Sequence, residues 1–392
     1  MSVSPARRAL AGAVLLDFAV SPLFIWDAFS ASLARDLRVS VPSLSLAFSV
    51  GLAAFTAGVL VGGRVADAVA PRRIAVLTGC GVVVGLGTAA VAPSLLVLIV
   101  GFGIVLGGAT GLGYATAVRV AGTVTAGRGG AMALVVSAYA AGAVVLAPVA
   151  DRLLAVAGRA GMFASLAVGL GVVVVCAAIL LPGTPPPARV APRGGAAVVR
   201  LFRVPVPALW TMFFLGSAPA LIAFAHAGQF AGRPQLTVVA VSLINAGNFV
   251  GRLIAGPASD RLGHAPVLHA TAAALAGSCL ALAVAPDNPA VTLTALLVLG
   301  TQYGALSVLT PVATAEAVPN EQFGTAYGMV FSGWGIAGLA GPVAAAWLAT
   351  RTGYPAIAAV LVGVAALSWV AVLWASASVR RVRQHPRPHH LA

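Results

Sequence analysis

The sequence predicts an all-α membrane protein with twelve transmembrane helices in two six-helix bundles. Of its 392 residues, 60% are hydrophobic and 8% charged, whereas soluble domains run at about 45–50% apolar and about 25% charged. The apolar stretches recur near the ~20 residues that a helix needs to cross a bilayer. One long interruption, PGTPPPARVAPRGGAAVVRLFRVPVP, divides them six and six.

The first span, 9–34, follows MSVSPARR. That start is basic like a signal peptide, but the apolar run is too long for a signal core and no clear cleavage site follows, so it reads as a helix. Spans two to six are 42–68, 74–92, 95–120, 130–150 and 160–182. Within the fourth, GFGIVLGGATGLGYATAVRVAG places Gly and Ala every three or four residues, which lets helices approach closely in lipid. It is not a phosphate loop, because no strand precedes it and no acidic residue follows at the required distance. In the interruption, proline stops helix propagation; a short surface helix around VVRLF is expected there. The second set is 206–230, 235–258, 266–286, 290–314, 325–349 and 355–377. Its fifth member, GMVFSGWGIAGLAGP, repeats the small-residue pattern. Residues 1–182 thus form an N-terminal bundle, 183–205 a cytoplasmic linker, 206–379 a C-terminal bundle and 380–392 a cytoplasmic tail. The tail ends HPRPHHLA and follows no metal pattern.

All 23 basic residues are Arg, and the net charge is +14. They are scattered over short loops and form no basic face for nucleic acid. With the N-terminus inside, fifteen fall in cytoplasmic segments and six outside: Arg35, Arg38, Arg152, Arg159, Arg233 and Arg351. This asymmetry places both termini in the cytoplasm of a multi-pass protein of the inner (plasma) membrane. Cys80, Cys176 and Cys279 all lie in apolar spans without metal-ligand spacing, so they read as packing residues.

The halves share a signature. GGRVADAVAPRR follows the second span and AGPASDRLGH the eighth. Each sets a small residue four positions before an Asp: Gly63 before Asp67 and Gly256 before Asp260. Arg72 and Arg261 follow. Repetition at about half the chain length implies two similarly built halves.

No GxSxG, HExxH, CxxC or P-loop is present, so no enzyme active site can be assembled. No cofactor or metal is expected. The chemistry must come from the polar groups inside the spans. Arg252 stands in LTVVAVSLINAGNFVGRLIAGPAS with no other charge. A cation at such a depth costs at least ~2.5–3.5 kcal/mol, and an anion offsets that. The anion is either a small organic substrate or a structural partner such as Asp17 or Asp27. Asn248, one turn before, shares its helical face, and guanidinium with amide can grip a carboxylate. Asn245 lies on the same side. At 1.5 Å per residue, Asp17 lies roughly 12 Å from the inner end of its span and Arg252 roughly 9–10 Å from the inner end of its own. Asp17 and Asp27 are the acids well inside the spans, and burial favours the neutral form of a carboxyl group. His226 is a further proton candidate, although a lone His in an apolar helix is more often a packing residue. Arg119 is expected to snorkel to the inner surface.

These residues resemble a known group. GGRVADAVAPRR is similar to the loop signature of the major facilitator superfamily. PLFIWDAFS, GLGYATAVRVAG, NAGNFVGRLIAGPASDRLG and FGTAYGMVFSGWGIAGLAGP resemble its oxalate/formate antiporter and monocarboxylate transporter branch. The resemblance implies the major facilitator fold and alternating access around a central site. It implies that Arg252 binds substrate carboxylate, and that Asn248, Tyr114, Tyr303 and Phe24 occupy site positions. It also marks Gly63, Asp67, Arg72, Asp260 and Arg261 as gating positions. Dicarboxylate-handling members carry a Lys in the eleventh helix; this chain has no Lys, and Trp334 sits near that place. One cation matches one carboxylate. The expected function is therefore proton symport of a lactate- or pyruvate-like monocarboxylate by a monomer in the bilayer. Formate/oxalate-type exchange or efflux is the alternative within transport, and a membrane sensor or scaffold the alternative of another class.

Overall fold

The structure, a computed structural model, describes residues 4–124, 127–185 and 205–384. The segment around VVRLF and the His-rich end lie outside the described residues. Among the described residues, ten helices are long and apolar enough to cross a membrane. They are α1 (Pro5–Ala19, extended to Trp26 as a span), α2 (Val41–Ala68), α3 (Pro71–Val91), α4 (Leu95–Gly122), α5 (Arg128–Leu180), α6 (Val206–Phe230), α7 (Thr237–Leu262), α8 (His264–Val284), α9 (Pro289–Ala317) and α10 (Phe323–Gln384). α5 and α10 each turn at one glycine with left-handed backbone, Gly158 at φ 64° and Gly353 at φ 77°. Each therefore supplies two passes, and the ten helices make twelve.

The helix starts are written in the sequence. Ser4, Ser40 and Ser94 accept a backbone N–H with the side-chain oxygen. Asn288 does so twice, from Ala290 and Val291. Pro5, Pro71 and Pro289 occupy first-turn positions, where no N–H is needed. Gly263, at φ 84°, separates α7 from α8.

Two expectations on element bounds need correction. The first span is not one helix to residue 34. α1 ends at Ala19, and a 3₁₀ segment (Pro22–Ala28) and a short helix (Ser30–Asp36) follow, because Pro22 cannot donate into the preceding turn. At the other end, α10 runs to Gln384, past the end at 377 expected for the last span.

The residues pack as two compact units: Met1–Arg189 with Glu321–Gly335, and Val190–Asn320 with Ile336–Ala392. In unit 1 the close pair is α2 with α4. A Cβ on Gly58, Gly107 or Gly111 would strike the backbone of Gly108, Gly51 or Phe55. In unit 2 the pair is α7 with α9, where Gly247, Gly251, Gly300 and Gly304 meet the opposing backbone in the same way. Gly58 and Gly251, Gly107 and Gly300, and Gly111 and Gly304 each share the offset of about 193 residues that separates Asp67 from Asp260, so the repeat extends from the loop motif to helix packing.

Candidate functional site

In unit 2 the central feature is on α7. Arg252 is 8% exposed, and its Nε donates to Asn248 Oδ1 at 3.0 Å. The bond orients the amide. Its oxygen faces the guanidinium, so its NH₂ turns away as a second donor group. A guanidinium beside an amide NH₂ suits a carboxylate. α9 closes on this turn: a side chain on Gly304 would run into the Asn248 carbonyl and the Arg252 amide. Tyr303, the residue before Gly304, is buried, with its ring edge-on to Phe224 of α6 at 5.4 Å.

Unit 1 contains an aromatic cluster around Phe55. Phe24, 40% exposed, stands edge-on to Phe48, Phe55 and Tyr139 at 6.4, 6.3 and 5.3 Å. Tyr114 meets Phe55, Tyr139 and Phe331 at 5.6, 5.8 and 5.4 Å, and its hydroxyl lies 3.2 Å from that of Tyr327. Trp334 packs on Phe55 and Phe331. Three sequence candidates, Phe24, Tyr114 and Trp334, thus come together. Phe55, Tyr139, Tyr327 and Phe331 were missed. A signal for the last two exists: Phe323, Tyr327, Phe331 and Trp334 recur at helical spacing on one face.

The loop-motif residues are mostly structural clamps in this conformation. Asp67 accepts from Arg119 Nε at 2.8 Å, from the Gly324 and Thr325 amides at 3.0 and 2.7 Å, and from the Thr325 hydroxyl at 2.8 Å. Its carboxylate caps the start of α10, where helix N–H groups favour an anion. Arg119 does not snorkel to the surface. It is 5% exposed, because a carboxylate within reach offsets its burial better than a long path to water. Gly63 lets α2 meet the Gly324 backbone. Arg72 donates to the last carbonyls of the α5 stretch, Ala178 at 3.0 Å and Ile179 at 3.4 Å. Asp260 and Arg261 lie in the last turn of α7, both exposed.

Of the proton candidates, Asp17 is fully buried in α1. Asp27 falls in the 3₁₀ segment, and its side chain lies outside the described residues. His226 sits at a bend in α6, φ −127° and ψ 21°. Its Nε2 is 3.1 Å from the Pro342 carbonyl and its Nδ1 3.0 Å from the Tyr354 hydroxyl. A carbonyl only accepts, so Nε2 donates to it. α9 also extends beyond the expected span. Glu316 is thereby drawn into its last turn, where it pairs with His264, an acid that the sequence reading had left outside the spans.

A family model described as Major Facilitator Superfamily matches residues 10–304 and, again, 218–391. The chain belongs to the Major Facilitator Superfamily. Among solved structures, the human organic anion transporter MFSD10 (TETRAN) aligns with TM-score 0.67 at 17% identity, over 94% of this chain and 100% of that one. The proton:xylose symporter XylE bound to 6-bromo-6-deoxy-D-glucose aligns with TM-score 0.68 at 14% identity, over 97% of this chain and 94% of that one. At such identities the likeness is one of fold. No curated protein sequence matches. Membership in the Major Facilitator Superfamily makes this a multi-pass membrane protein and a secondary transporter of small substrates.

Proposed function

We propose that the protein moves a small monocarboxylate, lactate- or pyruvate-like, together with a proton, by alternating access. Arg252 carries this reading. It is a buried guanidinium in a helix that carries no other charge before its last turn, hydrogen-bonded so that Asn248 offers its amide beside it. Arg252 and Asn248 take the carboxylate. Tyr303, Phe24, Tyr114 and Trp334 are further substrate contacts. Asp17 or Asp27 carries the proton, with His226 as the reserve. The loop-motif residues Gly63, Asp67, Arg72, Asp260 and Arg261 act in gating. The domain bounds follow the repeat, 1–182 and 206–379, and the monomer sits in the inner (plasma) membrane with both termini in the cytoplasm. In this reading it resembles the oxalate/formate antiporter and monocarboxylate transporter branch.

The test is uptake of labelled lactate and pyruvate by purified protein in liposomes under an inward proton gradient. Uptake that the gradient drives and that Arg252→Gln abolishes supports the reading. Uptake unchanged in that variant sinks it. The aromatic cluster in unit 1 favours a second reading, exchange or efflux of an amphipathic compound. Counterflow against a panel of acids separates the two.

A further inference from the structure

We infer that Arg8 and Arg72 form a headgroup site for an anionic phospholipid, at the end of unit 1 where α1 and α3 begin and α5 finishes. Two guanidinium groups from different helices meet there. Arg8 Nη2 donates to the Ile179 carbonyl at 2.8 Å, and Arg72 Nη2 reaches the same oxygen at 3.4 Å. The two nitrogens are therefore at most about 6 Å apart, and like charges that close repel each other. The chain explains the meeting. A Cβ on Gly12 would stand 3.1 Å from the Ala177 carbonyl, so α1 lies against the end of α5, and Arg8 is one turn before Gly12. Arg72 opens α3 with its amide on the Pro182 carbonyl at 3.1 Å and its Nε on the Ala178 carbonyl at 3.0 Å. The last carbonyls of a helix offset only about half an elementary charge. Among the described residues neither guanidinium has a carboxylate partner. Asp67, the acid nearest Arg72 in sequence, is held by Arg119. Arg7 and Arg73 add two further charges at the same two helix starts, both exposed.

The second observation is an open donor edge. Arg72 spends Nε and Nη2 on carbonyls, and among the described residues its Nη1 has no partner. Gly183 keeps that edge uncovered, because a Cβ there would stand 3.2 Å from Nη1. The third is the apolar surface that starts at the shared carbonyl. Ile179, Val175 and Val172 follow one another down α5 at helical steps, and Leu77 and Val84 do so on α3, all of them exposed. The two helices are in close contact, since a Cβ on Gly79 of α3 would meet Val174 Cγ1 of α5 at 2.9 Å. In a membrane-spanning protein these rows lie against acyl chains. A convergent pair of guanidinium groups with free N–H edges suits the oxygens of a phosphodiester, and the apolar rows below it suit the tails. The occupant is therefore a lipid, held as basic pockets between spans hold anionic headgroups. Every residue of the site belongs to unit 1.

The site does not depend on the carboxylate reading of Arg252, and its test needs no transported substrate. The full-length protein in detergent is titrated with dioleoyl phosphatidylglycerol or dioleoyl phosphatidylcholine. Native mass spectrometry counts the lipid retained, and the unfolding temperature is followed in parallel. The parent should retain phosphatidylglycerol more tightly than phosphatidylcholine. Arg8→Gln should lower the phosphatidylglycerol affinity about fivefold or more, the loss of one Arg contact near the membrane surface. Arg351→Gln, which removes a charge from unit 2, should leave it unchanged. Gly183→Val separates a lipid site from a clamp on the end of α5, because it covers the Arg72 edge without removing either guanidinium. It should weaken phosphatidylglycerol binding while the unfolding temperature in phosphatidylcholine stays at the parent's value. Equal retention of the two lipids by the parent overturns the inference, as does an unchanged affinity in Arg8→Gln or in Gly183→Val. An equal loss in Arg351→Gln would mean diffuse attraction to net charge and would also overturn it. Inorganic phosphate that displaces the lipid and by itself raises the unfolding temperature as far would assign the pair to a soluble anion, against the lipid. If Arg8→Gln does not fold, Gly183→Val alone decides.

Discussion

At the scale of the residue, Arg252 was legible because a single charge interrupts a long apolar run, and Asn248 because four residues make one helical turn. The orientation of the Asn248 amide was not, since it depends on which guanidinium nitrogen reaches it. Arg119 was misread for a related reason. Its partners, Asp67 and through it Gly324 and Thr325, are remote in sequence, and only the fold brings a carboxylate there. The Arg252 pair leads to a graded expectation. Hydrogen bonds to a charged group are worth about 1.5–3 kcal/mol, so Arg252→Gln should weaken carboxylate binding by roughly tenfold to a hundredfold while the protein still folds and inserts. Asn248→Ala should weaken it less, because the guanidinium remains. Binding isotherms on the purified variants, with thermal unfolding as the check on folding, measure both. Equal losses in the two variants would mean that the amide and the guanidinium act as one indivisible unit.

At the scale of the element, glycine decides which helices touch. The small-residue rows in α4 and α10 stood out in the sequence. Those of α7 did not, because Gly247 and Gly251 are embedded among larger residues and their role appears only against Gly300 and Gly304 of α9. Overfilling a tight contact costs about 1–3 kcal/mol. Gly251→Val and Gly304→Val should therefore lower the unfolding temperature and the yield of folded protein. Gly277→Ala, with nothing within 4 Å of the added atom, should leave both unchanged. A second expectation concerns the start of α10. Asp67→Asn would leave Arg119 without its ionised partner and set an NH₂ where a backbone N–H now donates. The loss is about 3 kcal/mol, read as a lower unfolding temperature in purified protein. Transport in that variant should change through the conformational equilibrium, with substrate affinity in the saturated state little altered.

At the scale of the whole molecule, composition was sufficient for the class and the repeat for the two-fold build, since bilayer thickness and backbone satisfaction leave few alternatives to a helix bundle. Substrate identity is written less plainly, because it depends on how few polar groups face a moving ligand. One buried cation in α7, Arg252, and no Lys anywhere in the chain set the expectation that monocarboxylates outcompete oxalate and malonate in proteoliposomes; tighter binding of oxalate than of lactate would overturn the charge matching. Coupling is the harder property, because it belongs to a cycle. Asp17 is fully buried in α1, and Asp27 lies in the 3₁₀ turn that follows. If either hands a proton across, removing its charge should separate two assays. Counterflow exchanges labelled for unlabelled substrate and need not release the proton. Accumulation under an inward proton gradient must release it in every turnover. Asp27→Asn and Asp17→Asn are therefore each expected to be scored by the ratio of gradient-driven accumulation to counterflow, and the true carrier is the one whose variant loses the first and keeps the second. If both variants accumulate substrate as the parent does, neither carboxylate is the carrier. The assay then passes to His226, whose ring nitrogens lie within hydrogen-bond distance of the Pro342 carbonyl and the Tyr354 hydroxyl, and His226→Gln is scored by the same ratio.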